Sequence, residues 1–369
     1  MFHRHISVLM SPTLACNLRC RYCYANGESS GSPLRLDMSE DDVRCVWEWL
    51  ADYCDFVDCH EIKVLWFGGE PFSIGVRRLS HYIDLQRQVL NPGRFLVLNA
   101  MQSNLLLVGE EHVEFVRKYL NGSIGASLEP FGTDRIRPDG HNARPAIEER
   151  IAFLQSHGIG IGVVSTLTKG NEGTPEEFYD YMKTHRLSFR VNRAHCPSGD
   201  DPSRYLSLTE FNDYVLRLFE LYTSDRNPVP IEFMNFTLAM KGLLLNVPIS
   251  YFGDDSIRYR FSFAGGGIIQ SYCRKNPLII GDYRHDSPAE VSARYRLTCS
   301  SNEPDTCRAC RYFRRVCFGP CLGEPHVACT ESSCGYRSEF TPIMLDYVSD
   351  YMRRMGIERP EDVEEAVRG

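Results

Sequence analysis

Cys16-Asn17-Leu18-Arg19-Cys20-Arg21-Tyr22-Cys23 sets three thiols in one short run near the start of a 369-residue chain. Thiolates are soft ligands suited to zinc or to iron–sulfur clusters. A structural zinc site takes four protein ligands, and a cubane cluster usually takes four thiolates. Three are therefore one short, which would leave one iron open to a molecule from outside. A zinc knuckle is the plainer alternative. It would need a second CxxC pair, recruited from far along the chain.

The elements that would position this loop can be read from the pattern. From residue 5 to about 193, short apolar or β-branched runs (6–10, 62–67, 95–100, 123–128, 159–167 and 189–192) alternate with amphipathic helical stretches. The helices begin near Ser39, Val76, Glu111, Ala143 and Pro175. Thr174-Pro175-Glu176-Glu177 combines a capping threonine, a proline at the first helical position and a glutamate placed to close a capping box. Six strands with five intervening helices imply an α/β fold, a parallel sheet with right-handed crossovers. Functional groups in such folds gather at the carboxyl ends of the strands. The cysteine loop follows the first strand, Gly68-Gly69-Glu70-Pro71 the second, Gln102-Ser103-Asn104 the third, Ser127-Leu128-Glu129 the fourth, and His195-Cys196 the sixth. Paired glycines let a backbone come close to a ligand. Taken singly, each of these runs also reads as an ordinary strand-end turn.

Together these residues resemble the radical S-adenosylmethionine (SAM) superfamily. That resemblance implies a partial (β/α)6 barrel in which Cys16, Cys20 and Cys23 hold a [4Fe-4S] cluster and SAM fills the open iron position. It also implies that Tyr22 packs on the adenine and that Gly68, Gly69, Glu70 and Pro71 receive the methionyl ammonium. Ser103 and Asn104 would line the site, and Ser127 and Arg137 would hold the ribose and the carboxylate. Glu129 stands where an aspartate is commoner, and Arg135 and Arg144 are alternatives to Arg137. The implied chemistry is reductive cleavage of SAM to a 5′-deoxyadenosyl radical that abstracts a substrate hydrogen.

Beyond the sixth strand, 197–204 reads as a linker, Ser207-Leu208-Thr209-Glu210 as a capping box opening a helix to about Tyr222, and 233–245 as a second apolar helix. The segment 258–273, with Gly265-Gly266-Gly267 at its centre, reads as a hairpin, and 342–355 as a closing amphipathic helix. Cys307-x2-Cys310-x6-Cys317-x3-Cys321, with Cys273 before and Cys334 after, resembles the SPASM extension of radical SAM enzymes. The expected organisation is thus a barrel over 1–196, a helical bridge over 197–255, a small Cys-rich α+β auxiliary-cluster domain over 256–340 and a terminal helix over 341–369. The resemblance assigns one or two auxiliary iron–sulfur clusters, the outer on Cys307, Cys310, Cys317 and Cys334, the inner on Cys273 and Cys321. No cysteine stands in 251–263, where the family pattern places a further ligand; Cys299 and Cys329 are substitutes. Zinc remains the alternative for the outer four. Cys196 has two readings, a hydrogen donor to a substrate radical or a small buried hydrophobe. Cys45, Cys54 and Cys59 read as structural.

Fifteen cysteines, seven of them between Cys299 and Cys334, point to metal ligation in a reducing compartment more readily than to the disulfides of a secreted domain. A net charge of -7 gives no reason to expect nucleic acid. No membrane span or signal peptide is legible, so a cytoplasmic location is expected. Expected partners are a peptide or small-molecule substrate and a one-electron donor such as a flavodoxin or ferredoxin. With fifteen residues ahead of Cys16, no amino-terminal peptide-recognition domain is expected. Anaerobic sulfatase-maturating enzymes carry an aspartate directly after the inner-cluster cysteine. Arg274 follows Cys273 here, so sulfatase maturation is not expected. The leading expectation is redox modification, a cross-link or oxidation, of a ribosomally made precursor peptide. The alternative is a dehydrogenase or epimerase of a sugar or aminocyclitol in natural-product biosynthesis.

Overall fold

The computed structural model describes residues 5–23, 37–91, 93–194, 196, 200–225, 231–245, 260–271, 278–301, 340–359 and 361–363. In chain order the elements are β1 (His5–Met10), α1 (Glu40–Val57), β2 (Glu61–Trp66), α2 (Val76–Val89), β3 (Leu96–Ser103), α3 (Glu110–Tyr119), β4 (Ser123–Ser127) and α4 (Arg144–Ser156). Then come β5 (Gly160–Leu167), α5 (Pro175–Thr184), β6 (Ser188–Arg193), α6 (Leu208–Ser224), α7 (Met234–Leu245), β7 (Arg260–Phe263), β8 (Ile268–Ser271), β9 (Ile279–Asp282), α8 (Pro288–Ser301) and α9 (Phe340–Met355). The six expected strands and five expected helices of the first half are all present.

The chain forms two compact units. The first contains Met1–Ser127, Arg135–Ile161 and Asp255–Asn302. Its parallel strands neighbour one another in chain order. β1 pairs with β2 from His5↔Glu61 to Met10↔Trp66, β2 with β3 from Glu61↔Leu96 to Trp66↔Met101, and β3 with β4 through Gln102↔Gly125. A doubly wound sheet reverses its strand order at a switch point. These four strands run on without reversal, as in barrel winding. Helix α1 buries Val43, Val46, Trp47, Leu50, Tyr53 and Cys54, an apolar stripe at helical spacing. Trp47 meets Trp66 edge to face, with ring centroids 6.0 Å apart.

The glycine-rich hairpin forms as expected, β7 antiparallel to β8, but it does not begin a separate domain. β7 pairs in parallel with β1, from Ser7↔Arg260 to Met10↔Phe263, so the hairpin and β9 extend the first unit's sheet. This pairing joins 260–263 to the strand that precedes the cysteine loop. Its cause is aromatic packing: Trp49 lies 5.3 Å from Phe261 and 5.8 Å from Phe263, and Tyr53 lies 4.7 Å from Phe261. Edge-to-face pairs of this kind add roughly 0.5–1.5 kcal/mol each beyond their buried area. The indole of Trp49 also donates to the carbonyl of Asp286 at 2.9 Å, which ties α1 to the turn before α8.

The second unit contains Leu128–Asp134, Gly162–Asp254 and Glu303–Gly369. In it β5 and β6 pair in parallel, from Gly162↔Ser188 to Leu167↔Arg193. Phe189 stacks on Phe233 with ring centroids 4.7 Å apart, and Phe236 meets Tyr351 of α9 at 5.0 Å. Both capping boxes are closed, Thr174 with Glu177 and Ser207 with Glu210. His195, Cys273, Arg274, Cys307, Cys310, Cys317, Cys321, Cys329 and Cys334 lie outside the described residues. Cys299 falls within α8, with its side chain outside the described set.

Candidate active site

The cysteine loop leaves the sheet at the carboxyl end of β1 and is closed at its neck. The amide of Met38 donates to the carbonyl of Pro12 at 2.9 Å. The carbonyl of Met38 in turn accepts Arg78 Nη2 at 2.6 Å and the hydroxyl of Tyr82. Helix α1 starts immediately afterwards, capped by Ser39 and Asp42. Within the loop, the amide of Leu18 donates to Cys16 Sγ at 3.4 Å, and the amide of Cys23 donates to the carbonyl of Cys20 at 3.1 Å. Cys20 is buried and Cys23 half-buried. Loss of solvation raises the Cys16 thiol above its ordinary value; the Leu18 amide opposes the rise, while Glu70 and Cys23 add to it.

Gly68 and Gly69 lie directly under this loop. Gly68 has φ +134°, and a Cβ there would stand 2.3 Å from the carbonyl oxygen of Thr13. A Cβ on Gly69 would stand 2.3 Å from the oxygen of Ala15. The amide of Gly69 donates to Thr13 at 3.0 Å and that of Glu70 to Ala15 at 2.8 Å. Close approach by another backbone is thus why glycine is required, and the approaching backbone is the chain's own cysteine loop.

Glu70 is buried, and its carboxylate is a brace. Oε1 accepts the Ser103 hydroxyl at 2.8 Å and the Phe72 amide at 3.1 Å, while Oε2 accepts the Asn104 amide at 2.8 Å. Burial pushes the carboxyl above its usual value, and the bonds from Asn104, Ser103 and Phe72 oppose that rise. Glu70 also caps the short 3-10 turn Pro71–Ile74, in which Pro71 occupies the first position. Asn104 carries the connection back to the loop, donating to Asn17 Oδ1 at 2.7 Å and reaching Cys16 Sγ at 3.9 Å. Ser127, at the end of β4, accepts Gln102 Nε2 at 2.9 Å.

Two arginines after β4 differ in placement. Arg137 lies in a turn, half-exposed, and pairs with Asp139 at 3.4 Å. Arg135 instead reaches the loop, with Nη2 2.6 Å from the Tyr22 hydroxyl and Nη1 3.7 Å from Cys20 Sγ. The backbone next to Arg135 is tied in as well, since the Arg19 amide donates to the carbonyl of Ile136 at 2.7 Å. Sequence reading held Arg135 only as an alternative to Arg137, because nothing local distinguishes the two. The carbonyls of Thr13 and Ala15 were not legible at all.

In the second unit, Glu129 Oε1 accepts the Thr166 amide at 3.1 Å, and Ser165 Oγ donates to the Leu128 carbonyl at 2.5 Å. Glu129 therefore fastens the turn after Ser127 to β5. The Cys196 thiol is half-buried and donates to the carbonyl of Asp200 at 3.6 Å. Asp200 Oδ2 accepts the Tyr205 hydroxyl at 2.5 Å. Cys54, in α1, is buried, and burial pushes its thiol up to about 12, which fits a structural role.

Among the described residues, no three His, Cys, Asp or Glu side chains converge as they would around a single metal ion. A cubane binds its ligands at separate corners, so its thiolates need not converge on one point. The donors here suit such a cluster. One loop supplies three thiols, the Leu18 amide and the Asn104 side chain point N–H groups at Cys16, and the Arg135 guanidinium points at Cys20. No described helix is long and apolar enough to cross a membrane.

No protein-family model matches the chain. It is 25% identical over 187 residues to an uncharacterized protein of Synechocystis sp., covering 49% of this chain and 45% of that one. It is 27% identical over 182 residues to the serine-type anaerobic sulfatase-maturating enzyme of Klebsiella aerogenes, covering 47% and 43%. The chain thus spans about half the length of the curated relatives it matches. Its fold resembles that of anSMEcpe with bound AdoMet and Kp18Cys peptide, with TM-score 0.74, 14% identity and 99% of both chains covered. It also resembles Streptococcus suis SuiB, with TM-score 0.61, 16% identity, and 86% of this chain and 73% of that one covered. The chain thus shares the fold of these proteins, an α/β fold built on a parallel sheet.

Proposed function

We propose that the chain is a radical SAM enzyme that modifies a peptide by a one-electron route. The observation that carries this reading is that three strand-end motifs form one hydrogen-bonded body. The cysteine loop rests on Gly68-Gly69, Glu70 ties that turn to Ser103 and Asn104, and Asn104 returns to Asn17 and Cys16. Cys16, Cys20 and Cys23 would hold a [4Fe-4S] cluster. Tyr22, Gly68, Gly69, Glu70, Pro71, Ser103, Asn104, Ser127 and Arg137 would surround SAM. When bound, these groups supply one-electron cleavage of a carbon–sulfur bond and, from it, hydrogen abstraction from an unactivated carbon.

What the chain's own residues contribute is placement. Glu70 accepts three hydrogen bonds as a brace, which holds the carboxyl ends of β2 and β3 in fixed register beside the loop. The Tyr22 hydroxyl is held by Arg135 at 2.6 Å, which fixes where the ring stands beside the loop.

The peptide substrate is supported by the neighbours: one anSMEcpe structure carries a Kp18Cys peptide, and one SuiB structure carries the precursor peptide SuiA. Oxidation or cross-linking of a side chain is the modification proposed, with electrons leaving through one or two auxiliary clusters on Cys273, Cys307, Cys310, Cys317, Cys321 and Cys334. A flavodoxin or ferredoxin would supply the reducing electron. Arg274 after Cys273 speaks against sulfatase maturation.

Anaerobically reconstituted protein should cleave SAM under reducing conditions, and Cys16→Ala, Cys20→Ala and Cys23→Ala should each abolish cleavage. Unchanged cleavage in the triple variant would overturn the reading. If cleavage is accelerated by an aminocyclitol or sugar and by no peptide, the substrate class proposed here is wrong.

A further inference from the structure

We infer that Arg135 is a positioning residue that raises the reduction potential of the group held by the cysteine loop, an inference that rests on the cluster reading above. Three observations place it there. Its Nη1 lies 3.7 Å from the sulfur of Cys20, which is buried. Its Nη2 donates to the Tyr22 hydroxyl at 2.6 Å, and the guanidinium stands 5.8 Å from the centroid of the same ring. Its backbone is anchored, since its carbonyl accepts the Ala143 amide at 2.9 Å and the next carbonyl accepts Arg19 from the cysteine loop at 2.7 Å. The guanidinium is therefore fixed from both ends and aimed at one corner of the loop.

The physical consequence follows from charge. One-electron reduction adds a negative charge to a group that already carries thiolates. A cation fixed beside a ligand sulfur stabilises the reduced form more than the oxidised form. An N–H donor to that sulfur acts in the same direction, because it withdraws electron density from the ligand. Asn104 offers Cys16 a neutral donor at 3.9 Å, so the charged donor acts at Cys20 and the uncharged one at Cys16. The electron enters from outside, and no bond or proton changes at Arg135.

The experiment compares anaerobically reconstituted wild type with Arg135→Lys, Arg135→Gln, Arg135→Met and Tyr22→Phe, using iron and sulfide content and a redox titration followed by electron paramagnetic resonance. The signal followed is the one absent from Cys16→Ala, which separates it from any auxiliary cluster. Both neutral variants should hold wild-type iron while the reduced form becomes about tenfold harder to populate, a fall of about 59 mV in midpoint. Arg135→Lys should recover most of the shift, and Tyr22→Phe, which removes one anchor of the guanidinium but not its charge, should move the midpoint by less than either neutral variant. An unchanged midpoint in either neutral variant overturns the inference. So does loss of iron from both, because Arg135 would then serve only to hold the loop together. Wild type lacking the signal that Cys16→Ala should remove would instead sink the cluster reading itself.

Discussion

The amide of Gly69 donates to the carbonyl of Thr13 at 3.0 Å, so the turn after β2 and the loop after β1 share a backbone hydrogen bond. A methyl group on Gly69 would stand 2.3 Å from the Ala15 oxygen and 2.5 Å from that of Leu14, both of them backbone atoms with little room to yield. Gly69→Ala should therefore lift the loop off its support. Overpacking of this kind costs typically about 1–3 kcal/mol. Iron content after reconstitution should fall severalfold while far-ultraviolet circular dichroism stays native-like. Wild-type iron content in this variant would show that the contact is dispensable.

Glu70→Gln keeps the shape of the brace and changes its chemistry. The carboxylate accepts from Ser103, Phe72 and Asn104, whereas a glutamine must turn an N–H toward at least one of those donors. Leaving buried donors unmatched costs roughly 1–3 kcal/mol. The unfolding midpoint in denaturant should drop accordingly, and SAM binding, read by equilibrium dialysis, should weaken. A variant as stable as wild type would mean the three bonds are not all made in solution.

Asp42 gives a pH dependence with a definite sign. Burial alone would raise its carboxyl, but bonds from the Tyr283 hydroxyl at 2.7 Å and from the Ser39 amide and hydroxyl, together with Arg284, outweigh that and hold it below its ordinary value. A carboxyl lowered in the folded state contributes stability above its unfolded value, about 3.9. That contribution is lost as pH falls from there through the lowered folded value. Asp42→Asn should be less stable than wild type by about 1–3 kcal/mol at pH 7, with the gap closing below about pH 4. Thermal melts at pH 7, 5 and 3.5 test this, and a gap independent of pH would refute it.

For the cysteine-rich tail, the double variant Cys307→Ser, Cys310→Ser should lose about four irons per chain, one cubane, while keeping SAM cleavage. Iron assay beside a zinc assay distinguishes this from a zinc site. Loss of zinc with iron unchanged would reassign these cysteines.

How much was legible depended on range along the chain. Periodicity located the strands and helices, and the capping residues Thr174, Glu177, Ser207 and Glu210 marked helix starts because a cap is a contact over three residues. The pairing of Ser7 with Arg260 was not legible, since no local pattern encodes a parallel partner so distant. Glu70 was found by its motif, yet its role as a brace appears only once Ser103 and Asn104 are seen beside it. Likewise Ser39 and Asp42 could be read as a helix cap, but not Tyr283, which completes the environment of Asp42 from the far end of the unit.

The Pro12–Met38 hydrogen bond has a bearing on the order of assembly. It joins the two ends of a loop of about 25 residues, and bringing such ends together costs about 3 kcal/mol in chain entropy. Packing of α1, α2 and β1 meets that cost through Arg78, Tyr82 and the capping box. The neck of the loop is thus held by the polypeptide's own hydrogen bonds. Maturation can then be a late step, in which a finished polypeptide receives its inorganic part, and a chain stripped of iron should refill without unfolding.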